Sequence, residues 1–450
     1  MEKTYLKWYN KVGYGSGDIA GNVIYALLSS FVMIYLTDSA GMDAGIVGTL
    51  MLASKVFDGV TDIFFGSMID KTHTKMGKAR PWMFFGFFGC AVTLAAVFAI
   101  PAGMSETAKY AWFFISYTLL NAVFYTANNI AYSALTALIT KNQSERVQMG
   151  SIRFMFAFGT SMLIQAVTVR VVQALGGGAA GWRTTAIIYA IIGVIFNSLS
   201  VLSVKELPPE ELAEGENQDA PEEKYSLVET MKILCKNKYY LLICGVYILS
   251  QFYTATLNMG IYFMTYILGD ATLLGTFSLA INIPMIAGLI LTPMLVKKMN
   301  GMYKLNLTGY ALGTIARALV MFSAYMGSVP LMLLFSGVAA LGMSPLQGDL
   351  NALIATCSKY TYLTQHKQLD GTMYSCTSLG VKIGGGIGVA VAGWLLKASG
   401  YVANLPTQSQ SCINMLYFMY LWMPMLMNLV ITFLLSRLKV EEANAKLVNG

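Results

Sequence analysis

The chain has 450 residues, 56% of them hydrophobic and only 12% charged, with a formal net charge of +7. Soluble domains carry about 25% charged residues, so a water-soluble globular protein is excluded, and apolar runs without dyad alternation exclude a transmembrane β-barrel. The positive balance follows the short loops and is a topology signal, not a nucleic-acid footprint.

A helix needs about 20 residues to cross a hydrocarbon core of roughly 30 Å, and no water satisfies its backbone there. The predicted spans of the first half (1–204) are 17–37, 44–69, 81–101, 109–139, 148–174 and 183–204. A polar stretch, 205–238, follows; its Pro- and Glu-rich middle, Pro208–Glu223, reads as a flexible linker. The second half (239–440) gives spans at 239–268, 273–296, 305–327, 329–356, 372–396 and 413–436, before a tail at 441–450. Ala91–Ile100 has no polar face, and Met425–Leu435 carries Asn428 and Thr432 but no charge. With both termini cytoplasmic, 22 of the 30 Lys and Arg residues fall on the inner side, as the positive-inside rule requires. The expected class is therefore an all-α membrane protein of twelve transmembrane helices in two six-helix halves.

The six cysteines form no C-x-x-C pair, and His73 and His366 fall in loops, so neither a metal centre nor a disulfide framework is expected. The first apolar stretch is too long for a cleavable signal peptide. No catalytic constellation and no large extramembrane domain stand out, so a membrane enzyme or receptor is not expected and no cofactor is called for.

Charges inside spans are costly and mark pathways or relays. Span two contains Lys55-Val-Phe-Asp58-Gly-Val-Thr-Asp62, whose spacings of three and four put both carboxylates and the lysine on one helix face. Two acids one turn apart repel in a low dielectric, so one holds a proton or a cation lies between them. The alternative is a static lock in which Lys55 and Arg153 neutralise the pair. Lys382, in Gly380-Val-Lys-Ile-Gly-Gly-Gly of span eleven, needs an acidic partner if buried, with Asp58 or Asp62 as candidates; snorkelling from a packing patch is the other reading. Arg317 and Asp349 are also intramembrane and carry no assigned role. The loop after span two, Gly66 to Pro81, combines Asp70, Gly77 and Arg80 in a tight connection. In span four, Asn128-Asn129-Ile-Ala-Tyr132, with Asn22, Tyr25, Tyr125 and Thr126, offers a polar, aromatic lining suited to hydroxylated ligands, or else helix-to-helix glue.

Six spans, a cytoplasmic linker and six more is the arrangement of the major facilitator superfamily. Within it, Tyr14-Gly-Ser-Gly-Asp18, Lys55–Asp62, Gly66–Pro81, Tyr125–Tyr132, Arg153 and Tyr374-Ser375 through Lys382 resemble the glycoside–pentoside–hexuronide:cation symporter family over nearly the whole chain. The resemblance implies import of a sugar or sugar conjugate with Na⁺ or H⁺ by rocking of two halves, in a bacterial cytoplasmic membrane. It implies Asp58, Asp62, Thr126 and Ser378 at the cation site, Asp18, Tyr25 and Arg153 at the sugar cavity, and Lys382 as the lysine coupling the halves. Asn129 and Ser133 stand where galactoside-type members have aspartate and tryptophan. The Asn-Ile-x-Tyr form is closer to the pentoside and hexuronide branch, with Ala131 in place of its usual proline. Thr356 and Lys359 stand where acids are common, and Asp370 where glutamate is. A non-sugar substrate, such as an amphipathic lipid or an organic acid, is the second reading.

Overall fold

The computed structural model describes residues 3–208, 211, 227–366 and 370–449. Its described residues are helical throughout, apart from turns and one isolated bridge between Thr74 and Gly77. Eleven helical stretches are long and apolar enough to cross a membrane. Large apolar side chains such as Ile195, Ile290 and Phe322 lie exposed along them. A water-soluble protein would cover so much apolar surface; a bilayer solvates it. The expected span 109–139 is helical from Glu106 to Leu138 but is not among the eleven, because Asn121, Asn128, Asn129 and several hydroxyls dilute its hydropathy.

The residues fall into two compact units, Met1–Pro221 with Gly393–Thr407, and Glu222–Ala392 with Gln408–Gly450. The first contains α1 (Trp8–Gly15), α2 (Gly17–Ile34), α3 (Ala44–Asp70), α4 (Arg80–Val97), α5 (Glu106–Thr118), α6 (Thr126–Leu138), α7 (Gln143–Ala174) and α8 (Gly178–Leu202). A π-helical turn, Leu119–Tyr125, joins α5 to α6. Side-chain oxygens close the helix starts: Asp43 accepts from Ile46 N at 3.0 Å, and Asn142 from Glu145 N at 3.1 Å. Tyr14, Met83, Tyr132, Leu135, Met149 and Val201 build one buried cluster where α1, α4, α6, α7 and α8 meet. The segment Gly393–Thr407 docks on the starts of α2's outgoing turn and α3. There Trp394 Nε1 donates to Thr49 Oγ1 at 2.8 Å, Lys397 pairs with Asp43 at 3.2 Å, and the Tyr401 hydroxyl donates to Asp38.

The second unit contains α9 (Leu227–Lys236), α10 (Lys238–Asn258), α11 (Gly260–Tyr266), α12 (Leu273–Met299), α13 (Met302–Tyr325), α14 (Val329–Gln365), most of α15 (Asp370–Ala398), α16 (Gln410–Tyr417), α17 (Met423–Arg437) and α18 (Val440–Asn449). Pro284, Pro293 and Pro345 lie inside α12 and α14, as spanning helices tolerate. The seventh expected span is two helices, α10 and α11, broken at Met259. Its core gathers Tyr240, Ile243, Tyr253, Tyr310, Leu353 and Ile431.

Both units carry the same clamp. In the first, the Glu206 carboxylate accepts from Lys78 N, Ala79 N and Arg80 N at 2.7, 2.9 and 3.0 Å, closing the start of α4. In the second, Glu441 accepts from Met302 N and Tyr303 N at 3.1 and 2.8 Å, closing the start of α13. A carboxylate at a helix N-terminus satisfies donors the helix leaves open and complements its dipole. A glycine with positive φ precedes each: Gly77 at +109° and Gly301 at +139°. A Cβ on Gly77 would sit 2.3 Å from the Glu206 carboxyl carbon, and one on Gly301 2.9 Å from Glu441 Oε2. The glycine and the capping glutamate thus form a device repeated in the two units.

Candidate functional site

Two polar groups lie inside the first unit. The first centres on Asp18, one residue into α2. Arg153 Nε of α7 meets Asp18 Oδ2 at 2.7 Å, and the Tyr132 hydroxyl of α6 lies 2.9 Å from the same oxygen and 2.8 Å from the Tyr14 carbonyl. The Arg153 guanidinium stacks over the Tyr132 ring, 3.9 Å from its centroid, where the π face favours a cation. Tyr14 donates to the Tyr132 carbonyl at 2.7 Å, and Ser200 Oγ donates to the Tyr14 carbonyl at 2.7 Å. The glycines of Tyr14-Gly-Ser-Gly-Asp18 permit this: a Cβ on Gly17 would sit 2.8 Å from Ser200 Oγ and 2.9 Å from the Tyr132 ring. One turn on, Asn22 donates to the Asp18 carbonyl at 2.8 Å and accepts from Ser161 Oγ at 3.1 Å. Tyr25 follows on α2, 49% exposed.

Of the paired asparagines of span four, one packs helices together. Asn128 is buried and donates to the Met83 carbonyl and to Asn197 Oδ1, each at 3.0 Å, tying α6 to α4 and α8. Asn129 is exposed.

The second group centres on Asp58, 5% exposed on α3. Lys55 Nζ lies 3.6 Å from its Oδ2, and Thr126 Oγ1 approaches its Oδ1. Thr126 also lies 2.8 Å from the Asn121 carbonyl. Its single hydroxyl hydrogen thus has two acceptors in reach. Thr126 is the first residue after the π-helical turn, a feature frequent at functional sites. Asp62 stands one turn further along α3, half-buried. Arg153, named with Lys55 as a neutraliser of the acid pair, is engaged by Asp18 instead. The Asp70 and Ser378 side chains lie outside the described residues. Lys382 belongs to α15 in the second unit, half-buried.

Arg80 ties the loop after α3 to the end of α8: its Nε donates to the Val201 carbonyl at 3.0 Å and its backbone N–H to Glu206. In the second unit Arg317 is buried, its Nη2 donating to the Tyr253 hydroxyl and its guanidinium 5.2 Å from that ring's centroid. Asp349 accepts from Asn306 Nδ2 at 3.4 Å.

Sequence reasoning passed over three carboxylates: Glu206 and Glu441, which sit in linker and tail, and Glu145. Glu145 accepts from Tyr5 N, Leu6 N and Thr140 Oγ1 at 3.2, 3.1 and 2.6 Å, and lies 3.4 Å from Lys11. Burial pushes its carboxyl up, but these donors and the lysine outweigh it and hold it below the ordinary range. No spacing rule links residues this far apart in the chain.

A family model described as MFS/sugar transport protein matches residues 13–442. The chain belongs to that family. Within it, the chain is of the glycoside-symporter type. It is 29% identical to the isoprimeverose transporter of Lactiplantibacillus pentosus over 431 residues, 94% of this chain and 87% of that one. It is 26% identical to a glucuronide carrier protein homolog of Escherichia coli (strain K12), over 89% of this chain and 85% of that one. In three dimensions it is similar to a D-xylose-proton symporter (TM-score 0.66, 15% identity, 95% and 97% of the two chains covered). It is also similar to the nucleoside transporter NupG (TM-score 0.62, 11% identity, 95% and 98% covered). The fold is that of the major facilitator superfamily, all-α and multi-span. The chain is thus a secondary transporter of the symporter type, in a family described by sugar transport, and not an enzyme.

Proposed function

We propose that this transporter imports a glycoside or free sugar of the pentoside and hexuronide kind, driven by Na⁺ or H⁺ taken up at Asp58 and Asp62. The buried Asp58 carboxylate carries the reading. An ionised carboxylate in the membrane interior needs a partner, and here Lys55 at 3.6 Å and the Thr126 hydroxyl surround it. Hydroxyl, carbonyl and carboxylate oxygens are the donors a hard cation takes, and a proton needs only the carboxylate. Asp62 and Ser378 are proposed to complete that set. Asp18, Arg153, Tyr25, Asn129 and Tyr132 are proposed to bind substrate: a carboxylate, a guanidinium, an amide and phenols match vicinal hydroxyls and the apolar face of a sugar ring. Lys382 is proposed as the coupling residue, with Lys55, Asp70 and Arg80 governing the conformational change. The twelve-span count with both termini cytoplasmic belongs to the same proposal.

The test is gradient-driven uptake in vesicles. Asp58→Asn should abolish accumulation against a gradient while leaving some substrate exchange. Accumulation at the wild-type level in that variant rejects the cation site. A panel of pentosides, hexuronides and free sugars, screened by thermal shift with and without Na⁺, names the substrate class. A response to lipids or organic acids alone would favour the non-sugar reading.

A further inference from the structure

A cavity of about 600 Å³ opens in the second unit where α10 begins and α17 ends. Lys238, Arg437 and Lys439 line it, and among the described residues no carboxylate does. The three cations make aromatic contacts instead: Lys238 Nζ lies 5.0 Å from the Tyr239 ring centroid, Arg437 5.5 Å from Phe433, and Lys439 5.8 Å from Tyr303. Among the described residues none of the three forms an ion pair. Three like charges around one opening repel each other, and an anion in their midst removes that cost.

The walls say what kind of anion. Leu242 and Phe433 line the same cavity, and Phe433 ends a stripe on α17 with Leu426, Leu429 and Val430, each 37 to 58% exposed. The spacing of three, four and seven keeps that stripe on one helix face. It runs from Leu426 toward Arg437, about 16 Å at 1.5 Å per residue, a length over which an acyl chain lies flat. Apolar track and cationic head meet at the end of a span, where Lys and Arg reach the headgroup level. A free phosphate would have no use for the track.

We propose that this cavity is a binding site for the phosphate headgroup of an anionic phospholipid, with Arg437 gripping the phosphate and an acyl chain lying along α17. None of its lining residues is among those proposed to bind substrate or cation.

The test uses the full chain, purified in neutral detergent and titrated with phosphatidylglycerol, phosphatidylcholine or inorganic phosphate, with bound lipid counted by native mass spectrometry and the melting midpoint followed. Phosphatidylglycerol should be retained and raise the midpoint, while phosphatidylcholine does neither. The combined Lys238→Gln, Arg437→Gln, Lys439→Gln variant should bind it at least about tenfold more weakly. A Lys297→Gln, Lys298→Gln variant, altered at the end of α12, should bind as the wild type does. Equal retention of both lipids, an equal loss in the two variants, or a matching shift with inorganic phosphate would each overturn the proposal. All the substituted side chains are exposed, so both variants are expected to fold.

Discussion

Arg153 is held in three ways: by the Asp18 carboxylate at 2.7 Å, by the face of Tyr132 at 3.9 Å and by the Tyr14 hydroxyl at 3.5 Å. A planar guanidinium meets the first two demands at once; an ammonium on a flexible stem does not stack. Arg153→Lys should therefore lower uptake at least about tenfold although the charge is kept, with the protein still inserted and folded. Near-normal uptake by the lysine variant would show that charge alone matters at this position. Asp58 teaches a related point. Lys55, one turn before it, places its ammonium 3.6 Å from the Asp58 carboxylate, so Lys55 helps relieve the repulsion expected between Asp58 and Asp62. Any bound cation then has to be accommodated beside an ammonium, not merely between two acids.

At the scale of helices, the strongest design feature is a carboxylate from the end of a chain half closing the start of a helix three spans earlier. Glu206 collects three backbone donors at α4, and Glu441 two at α13. Hydrogen bonds to a charged acceptor contribute about 1.5–3 kcal/mol each. Glu206→Gln keeps the shape but loses the charge and presents an amide to N–H donors. It should destabilise the first unit by about 2 kcal/mol, read as a lower melting midpoint in detergent, with Glu441→Gln lowering it less. An unchanged midpoint for Glu206→Gln would mean that the clamp adds nothing to folding. The break of the seventh span at Met259 and the π-helical turn before Thr126 belong to this scale as well. Each changes which side chains a helix presents, and neither is announced by a proline.

For the whole molecule, the charge asymmetry makes a direct forecast. Reporter fusions at Gly103, Gly269 and Asn404 should be active only outside, and fusions at Lys75 and Lys298 only inside. One reversed site would break the twelve-span topology. Hydropathy made most of the spans legible, since a bilayer imposes the same length and composition on each. The signal is weakest at Glu106–Leu138, which is read as a span at 109–139 and is helical, but whose amides and hydroxyls keep it out of the eleven most apolar stretches. Within the site, Lys55 with Asp58 was readable because both lie on one helix at a spacing of three. The partnership of Asp18 with Arg153 and Tyr132 was not readable from spacing, since it joins residues more than a hundred positions apart; resemblance alone had grouped Asp18 with Arg153. The dual use of Asn128-Asn129, one amide packing helices and the other exposed, depends on rotation about the helix axis, which two adjacent letters leave open.

The glutamate clamps also dictate how this chain can be recombined with its relatives. A crossover placed at the end of α8 or α17 would leave each capping carboxylate behind with the wrong parent. Breakpoints after Leu207, or beyond Glu442, would carry helix and cap across together. Hybrids cut that way should express, while those cut a few residues earlier should be degraded.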